Sequence, residues 1–114
     1  MPDPAALTES ATEMVRHIAD VLGDRLEDHT IEHGELTIRV PAPEIVNVLR
    51  FLRDDRGLQF VCIIDICGVD WPERPQRFDV VYHLLSPRHN ARIRVKLATD
   101  EATPVPSATV VLPG

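Results

Sequence analysis

The sequence predicts an α+β domain: a two-layer sandwich in the order α-β-β-α-β-β-β, with a mixed sheet containing two antiparallel hairpins and helices mainly on one face. Three observations predict it. Apolar residues recur at helical spacing in segments 10–23 and 44–54, and alternate at strand spacing in 30–40, 77–86 and 91–97. All ten prolines fall outside these periodic segments, where a fixed φ and a missing N–H do no harm. The chain has 114 residues, 44% hydrophobic and 26% charged, which is the length of one core and the composition of a folded globule. Residues 1–114 therefore read as a single domain, with 1–9 as a flexible lead and 99–114 as a tail.

Each element has its own signal. Ser10-Ala11-Thr12-Glu13 is a capping-box pattern that starts the first helix; Met14, Val15, Ile18, Val21 and Leu22 form its apolar face, and Gly23 stops it. Leu36, Ile38 and Val40 then alternate with polar residues, and a two-residue turn at His33-Gly34 sets Ile31 opposite Leu36 in a hairpin. After Pro41 and Pro43, Ile45, Val48, Leu49 and Leu52 stand at i, i+3, i+4 and i+7, the full amphipathic helix template. Residues 59–69 are, after Gln59, apolar on both parities apart from Asp65, which predicts a central strand covered on both faces.

Phe78, Val80, Tyr82 and Leu84 share one face of the next strand, and Ile93, Val95 and Leu97 share a face on the return. A four-residue turn over Pro87-Arg88-His89-Asn90 pairs Ser86 with Ala91. That puts Leu84 opposite Ile93, Tyr82 opposite Val95 and Val80 opposite Leu97, so turn length and pattern agree on one register. The uncharged tail, 103–114, ends Thr-Val-Val-Leu-Pro-Gly; an apolar ending leads us to expect a cut inside a longer sequence.

Charge and motifs exclude several functions. The net charge of -6 argues against nucleic acid, which needs a basic face. Residues 1–35 hold nine acidic and two basic side chains, whereas 36–114 hold nine and ten, so the acidity belongs to the N-terminal third. No apolar run is long enough for a membrane span, and Met-Pro-Asp-Pro does not open a signal peptide; a cytoplasmic chain is expected. In an extended strand Cys62 and Cys67 lie about 16 Å apart on opposite faces, too far for a disulfide or a shared metal, and read as small buried hydrophobes. The five histidines (17, 29, 33, 83, 89) each have a local structural explanation, and the five glycines stand singly, so no phosphate loop exists. Neither Ser86 nor Ser107 sits in a nucleophile elbow.

Two constellations carry chemistry. Asp65, inside the apolar strand, invites a pKa raised by desolvation and with Asp70 forms a candidate carboxylate pair; a structural Asp meeting an Arg such as Arg77 is the competing reading. Arg92, Arg94 and Lys96 alternate with core residues and line up on the opposite face, with His83 opposite Arg94. His83, Arg92, Arg94 and Lys96 thus make a candidate partner interface, to which Val61, Ile63, Val69, Val81 and Leu85 add apolar area. A solvated outer face is the plain alternative.

The stretch Asp65-Ile66-Cys67-Gly68-Val69-Asp70-Trp71-Pro72-Glu73-Arg74, then Arg77-Phe78-Asp79-Val80-Val81-Tyr82-His83-Leu84-Leu85-Ser86, Asn90, Arg92-Ile93-Arg94-Val95-Lys96 and Pro104-Val105-Pro106-Ser107 resembles the 30 kDa, C-type subunit of bacterial proton-pumping NADH:quinone oxidoreductase (respiratory complex I). The resemblance runs over about residues 30–114 and includes Gly34-Glu35-Leu36 and Phe51-Leu52-Arg53-Asp54-Asp55. The aromatic-Glu-Arg-Glu signature of the family's C-terminal extension would follow Gly114 and is absent, so the resemblance is to the N-terminal domain, with the tail leading into that missing extension.

The resemblance implies a structural subunit of the peripheral arm, non-redox and without independent activity, that supports electron transfer from NADH to quinone coupled to proton translocation. It implies no catalytic, cofactor-binding or metal residue here: NAD, FMN, iron-sulfur clusters and quinone are bound by other subunits. Its partners would be those subunits, chiefly the D-type, quinone-site subunit, with no nucleic acid and no membrane span, on the cytoplasmic side of the inner membrane. The residues agree, because two cysteines cannot supply the four thiolates of a usual cluster and no dinucleotide fingerprint exists. Two alternatives remain: a docking subunit of a related hydrogenase-type membrane complex, and a free-standing small acid/base enzyme using Asp65 and Asp70.

Overall fold

The computed structural model describes residues 4–32, 35–75, 78–89 and 91–99, with the backbone alone for 4–10. Among these residues two α-helices, α1 (Pro4–Leu22) and α2 (Ile45–Asp54), accompany five strands: β1 (Asp28–Glu32), β2 (Glu35–Arg39), β3 (Cys62–Asp70), β4 (Phe78–Ser86) and β5 (Ala91–Thr99). The predicted order α-β-β-α-β-β-β is the observed one. The strands form one mixed sheet in the order β1-β2-β5-β4-β3, in which β2 and β5 run parallel and every other neighbouring pair is antiparallel.

Both predicted registers are present. Ile31 lies opposite Leu36 across β1 and β2, and Leu84, Tyr82 and Val80 lie opposite Ile93, Val95 and Leu97 across β4 and β5. These residues share the face on which the helices pack. Leu36, Ile38, Tyr82, Leu84, Ile93, Val95 and Leu97 form one buried cluster with Ala11, Val15, Ile18 and Leu22 of α1 and with Ile45, Val48, Leu49 and Leu52 of α2. All four predicted positions of α2 are fully buried, the outcome its complete i, i+3, i+4, i+7 pattern requires. A hydrogen-bonded contact of 2.7 Å between His17 Nε2 and Asp55 Oδ2 ties α1 to the end of α2.

The first helix departs from expectation at both ends. It begins at Pro4 rather than Ser10, because proline is tolerated in a first turn and Ala5, Ala6 and Leu7 are good helix formers; the capping-box residues therefore lie inside the helix. Val21, expected on the apolar face, is 43% exposed. The helix closes as anticipated at Gly23, whose φ of 54° is a conformation glycine adopts without a Cβ penalty.

The larger correction concerns β3, which is an edge strand and not a central one. β5 takes the centre because it pairs in parallel with β2 while remaining antiparallel to β4. α1 lies over β1 and β2, and most of β3 is left uncovered: Ile63 is buried, but Ile64 is 51% and Ile66 47% exposed. A register shift between Ile63 and Asp65 also breaks the strict alternation. Such a bulge inserts one extra residue and re-aims those that follow. Cys62 pairs with Leu85 and Cys67 with Val81, so the two cysteines share a face instead of occupying opposite ones. At about 13 Å apart along the strand they remain too distant to bond, and both are free. Ile63, expected on the outer face, lies opposite Leu84 in the helix-covered core. The His33-Gly34 turn, Arg77, Asn90, Ser107, residues 1–3 and the tail from 100 to 114 lie outside the described residues.

Candidate functional site

The sheet face turned away from the helices gathers most of the residues singled out by the sequence. Arg92, Arg94 and Lys96 alternate along β5, and the register sets Leu85, His83 and Val81 opposite them in turn. One strand further out, Asp65 and Cys67 lie opposite His83 and Val81. The four predicted interface residues thus do share one face. Arg92 is exposed, and His83, Arg94 and Lys96 are half-buried. The stripe is partly compensated by its own chain, because Arg94 Nη2 donates to Glu35 Oε2 of β2 at 2.6 Å.

A surface cleft of about 220 Å3 opens on this face, lined in part by Glu35, Ile64, Asp65, His83, Arg92 and Arg94. Asp65 is exposed there, contrary to the desolvated position its apolar neighbours implied. Its carboxylate accepts from the Cys67 thiol at 3.1 Å and from its neighbour's N–H, on Ile66, at 2.9 Å. These bonds, the thiol's foremost, hold it below the usual carboxylate range. The same bond pushes the Cys67 thiol up, away from the reactive thiolate form. Asp70 lies opposite Phe78 and Asp65 opposite His83, which puts the two carboxylates on opposite faces. About 16 Å of strand separates them. Asp65 and Asp70 are not brought together, and no acid/base pair is built from them. Ser86 is fully buried and offers no exposed nucleophile.

The structure adds two features that sequence reading missed. Asp65, Cys67 and His83 place one potential metal-ligating atom each within 4.8 Å of one another. The available signal was an Asp-x-Cys pair at strand spacing, but only the pairing of β3 with β4 brings the histidine to it. The second is a buried carboxylate, Asp79, which accepts from Arg74 at 2.6 Å and meets Arg39 at 3.5 Å. Burial alone would raise its pKa, but the hydrogen bonds from Arg74 and Arg39 outweigh that and lower it. Arg74 also sits 5.6 Å from the Trp71 ring, so the ion pair anchors the loop after β3. Trp71 itself is 49% exposed there, and Val61, Ile64, Ile66 and Val69 are exposed along this edge, Ile66 on the helix side of the sheet opposite Tyr82 and Val69 on the outer side opposite Asp79.

Residues 38–114 match the family model described as respiratory-chain NADH dehydrogenase, 30 Kd subunit. The chain is 52% identical over 108 residues to the C-type subunit of NADH-quinone oxidoreductase from Rhizobium leguminosarum bv. trifolii (strain WSM2304), covering 95% of this chain and 54% of that protein. It is 58% identical over 100 residues to the protein of the same name from Methylorubrum populi (strain ATCC BAA-705 / NCIMB 13946 / BJ001), covering 88% and 46%. The chain therefore spans about half the length of the relatives it matches. Among solved structures, a chain of the membrane-bound sulfane sulfur reductase, an archaeal respiratory membrane complex, superimposes with a TM-score of 0.74 at 24% identity, covering 90% of this chain and 59% of that one. That likeness is one of fold.

Proposed function

Because the chain belongs to the family of the respiratory-chain NADH dehydrogenase 30 kDa subunit, we propose that it serves as a non-redox structural subunit of an NADH:quinone oxidoreductase. It packs in the peripheral arm against other subunits, chiefly the one that forms the quinone site, on the cytoplasmic side of the membrane. NAD, FMN, iron-sulfur clusters and quinone are held by those other subunits. The cysteine content supports this division of labour, since two thiols about 13 Å apart on one strand face cannot hold a cluster that takes four. No helix among the described residues is long and apolar enough to cross a membrane. On this reading residues 1–114 form the N-terminal domain of the subunit.

The observation that carries the reading is the uncovered edge. A nine-residue edge strand with apolar side chains exposed along it is a template for pairing, and apolar surface of this kind marks a docking site. We place the interface on the β3 edge and the adjoining face with His83, Arg92, Arg94 and Lys96, where the basic groups meet an acidic partner surface at the rim. Electrostatics of this kind steer and register an encounter while the apolar side chains on either side of the β3 edge supply most of the binding energy.

The test uses the full-length protein expressed with the rest of its complex. Ile64→Lys with Ile66→Lys, and separately Arg92→Glu with Arg94→Glu and Lys96→Glu, are expected to deplete the assembled complex on native gels and lower membrane NADH:quinone turnover in proportion. Wild-type assembly in both variants contradicts the placement.

A further inference from the structure

We propose that Asp65, Cys67 and His83 form a binding site for a divalent zinc ion on the outer face of the sheet. Asp65 and Cys67 stand at i and i+2 on β3, which puts both side chains on one face, and β4 sets His83 directly opposite Asp65. Their ligating atoms lie within 4.8 Å of one another, and the Cys67 Sγ is already 3.1 Å from Asp65 Oδ2. Two adjacent strands joined by ladder hydrogen bonds supply all three donors, so the site asks for side-chain adjustment and no refolding.

The donor set favours a transition ion over the hard cations. Thiolate, imidazole and carboxylate together are what Zn2+ accepts in tetrahedral geometry, whereas Mg2+ and Ca2+ take oxygen ligands. On binding, the Sγ–Zn bond forms and the thiol proton passes to solvent. Three protein donors leave a fourth position, which in the chain by itself opens toward solvent because Asp65 is exposed. Of the cations on this face, Arg94, which lies opposite His83, is engaged by Glu35 at 2.6 Å. Zn2+ carries no redox chemistry, so the site adds structure rather than an electron-transfer step. It shares His83 with the face proposed above for docking, but its test on the chain alone reads metal binding and not docking.

The probe is metal alone. The purified, metal-free chain is titrated with Co2+, and then with Zn2+ in competition, while far-ultraviolet circular dichroism reports the fold. The expected result is one Co2+ per chain with a thiolate-to-cobalt charge-transfer band that one equivalent of Zn2+ removes. Cys67→Ser abolishes the band, Asp65→Asn and His83→Gln each weaken Zn2+ binding by about tenfold or more, and Cys62→Ser leaves both unchanged. A folded chain that gives no band, or a band that survives Cys67→Ser, overturns the proposal.

Discussion

β5 and β3 are both nine residues long and both pair along their length with β4, yet they lead different lives. β5 has a neighbour on each side, and Ile93, Val95 and Leu97 are fully buried beneath the helices. Among the described residues β3 has one neighbouring strand, and Ile64, Ile66 and Val69 are exposed. Apolar burial contributes about 25 cal/mol per Å2 removed from water, so the stability of this chain is concentrated around β5. The exposed apolar surface of β3 contributes little to folding. On the docking reading proposed above, that surface serves once another subunit covers it.

Paired truncations sharpen that contrast most. Leu97→Ala in β5 removes a fully buried side chain and is expected to cost about 2–5 kcal/mol by urea unfolding. Ile66→Ala in β3, measured alongside, is expected to cost about 1 kcal/mol or less, because the side chain is half solvated already. Equal costs would erase the distinction.

Asp79 of β4 comes next, since its ion pair with Arg74 anchors the loop that follows β3. Asp79→Ala strands Arg39 and Arg74, and about 1–3 kcal/mol is expected after allowing for the partial solvation of both guanidinium groups. The same loss should free Trp71, read as a change in its fluorescence at native pH. An unchanged spectrum would detach the loop from the ion pair.

A smaller effect is expected in acid. Asp55 and Asp79 have lowered pKa values in the folded chain; burial pushes each up, but the hydrogen bonds from His17 and Gly57, and from Arg74 and Arg39, outweigh it. Groups with depressed folded pKa values contribute stability that is complete above their ordinary unfolded values and fades as pH falls through the folded ones. Urea midpoints should therefore drop below about pH 4, and Asp55→Asn should flatten part of that drop at a cost of about 1 kcal/mol or less at neutral pH. An acid slope identical in wild type and Asp55→Asn would show that the His17–Asp55 contact is not pH-sensitive. Smallest of all is Ile66→Lys in the isolated chain, expected within about 0.5 kcal/mol of wild type.

The helix-covered half of the molecule was readable in advance for a local reason. α2 shows its complete apolar stripe within one segment, and the β4–β5 register follows from a turn length and two alternating runs. The β3 half depends on events far apart in sequence. Which strand takes the centre is decided by the parallel pairing of β2 with β5, which no local pattern records. The shift at Ile64 then reverses the parity that would have put Cys62 and Cys67 on opposite faces. Asp65 was misplaced for the same reason: an apolar run tells that surface needs covering, but not that the covering belongs to this chain. The basic stripe on β5 was legible as a face. Its internal neutralisation through Glu35 was not, because 59 residues separate that partner from Arg94.

Amide hydrogen exchange tests most directly whether β3 is a docking edge. It should be measured on the full-length protein alone and in the assembled complex, and compared over residues 62–70 and 91–99. In the free protein the outward-directed amides of β3 are expected to exchange rapidly while β5 is protected, and in the complex the β3 amides should become protected to the level of β5. Exchange in β3 that is the same in both states would contradict the claim that a neighbouring subunit covers this edge.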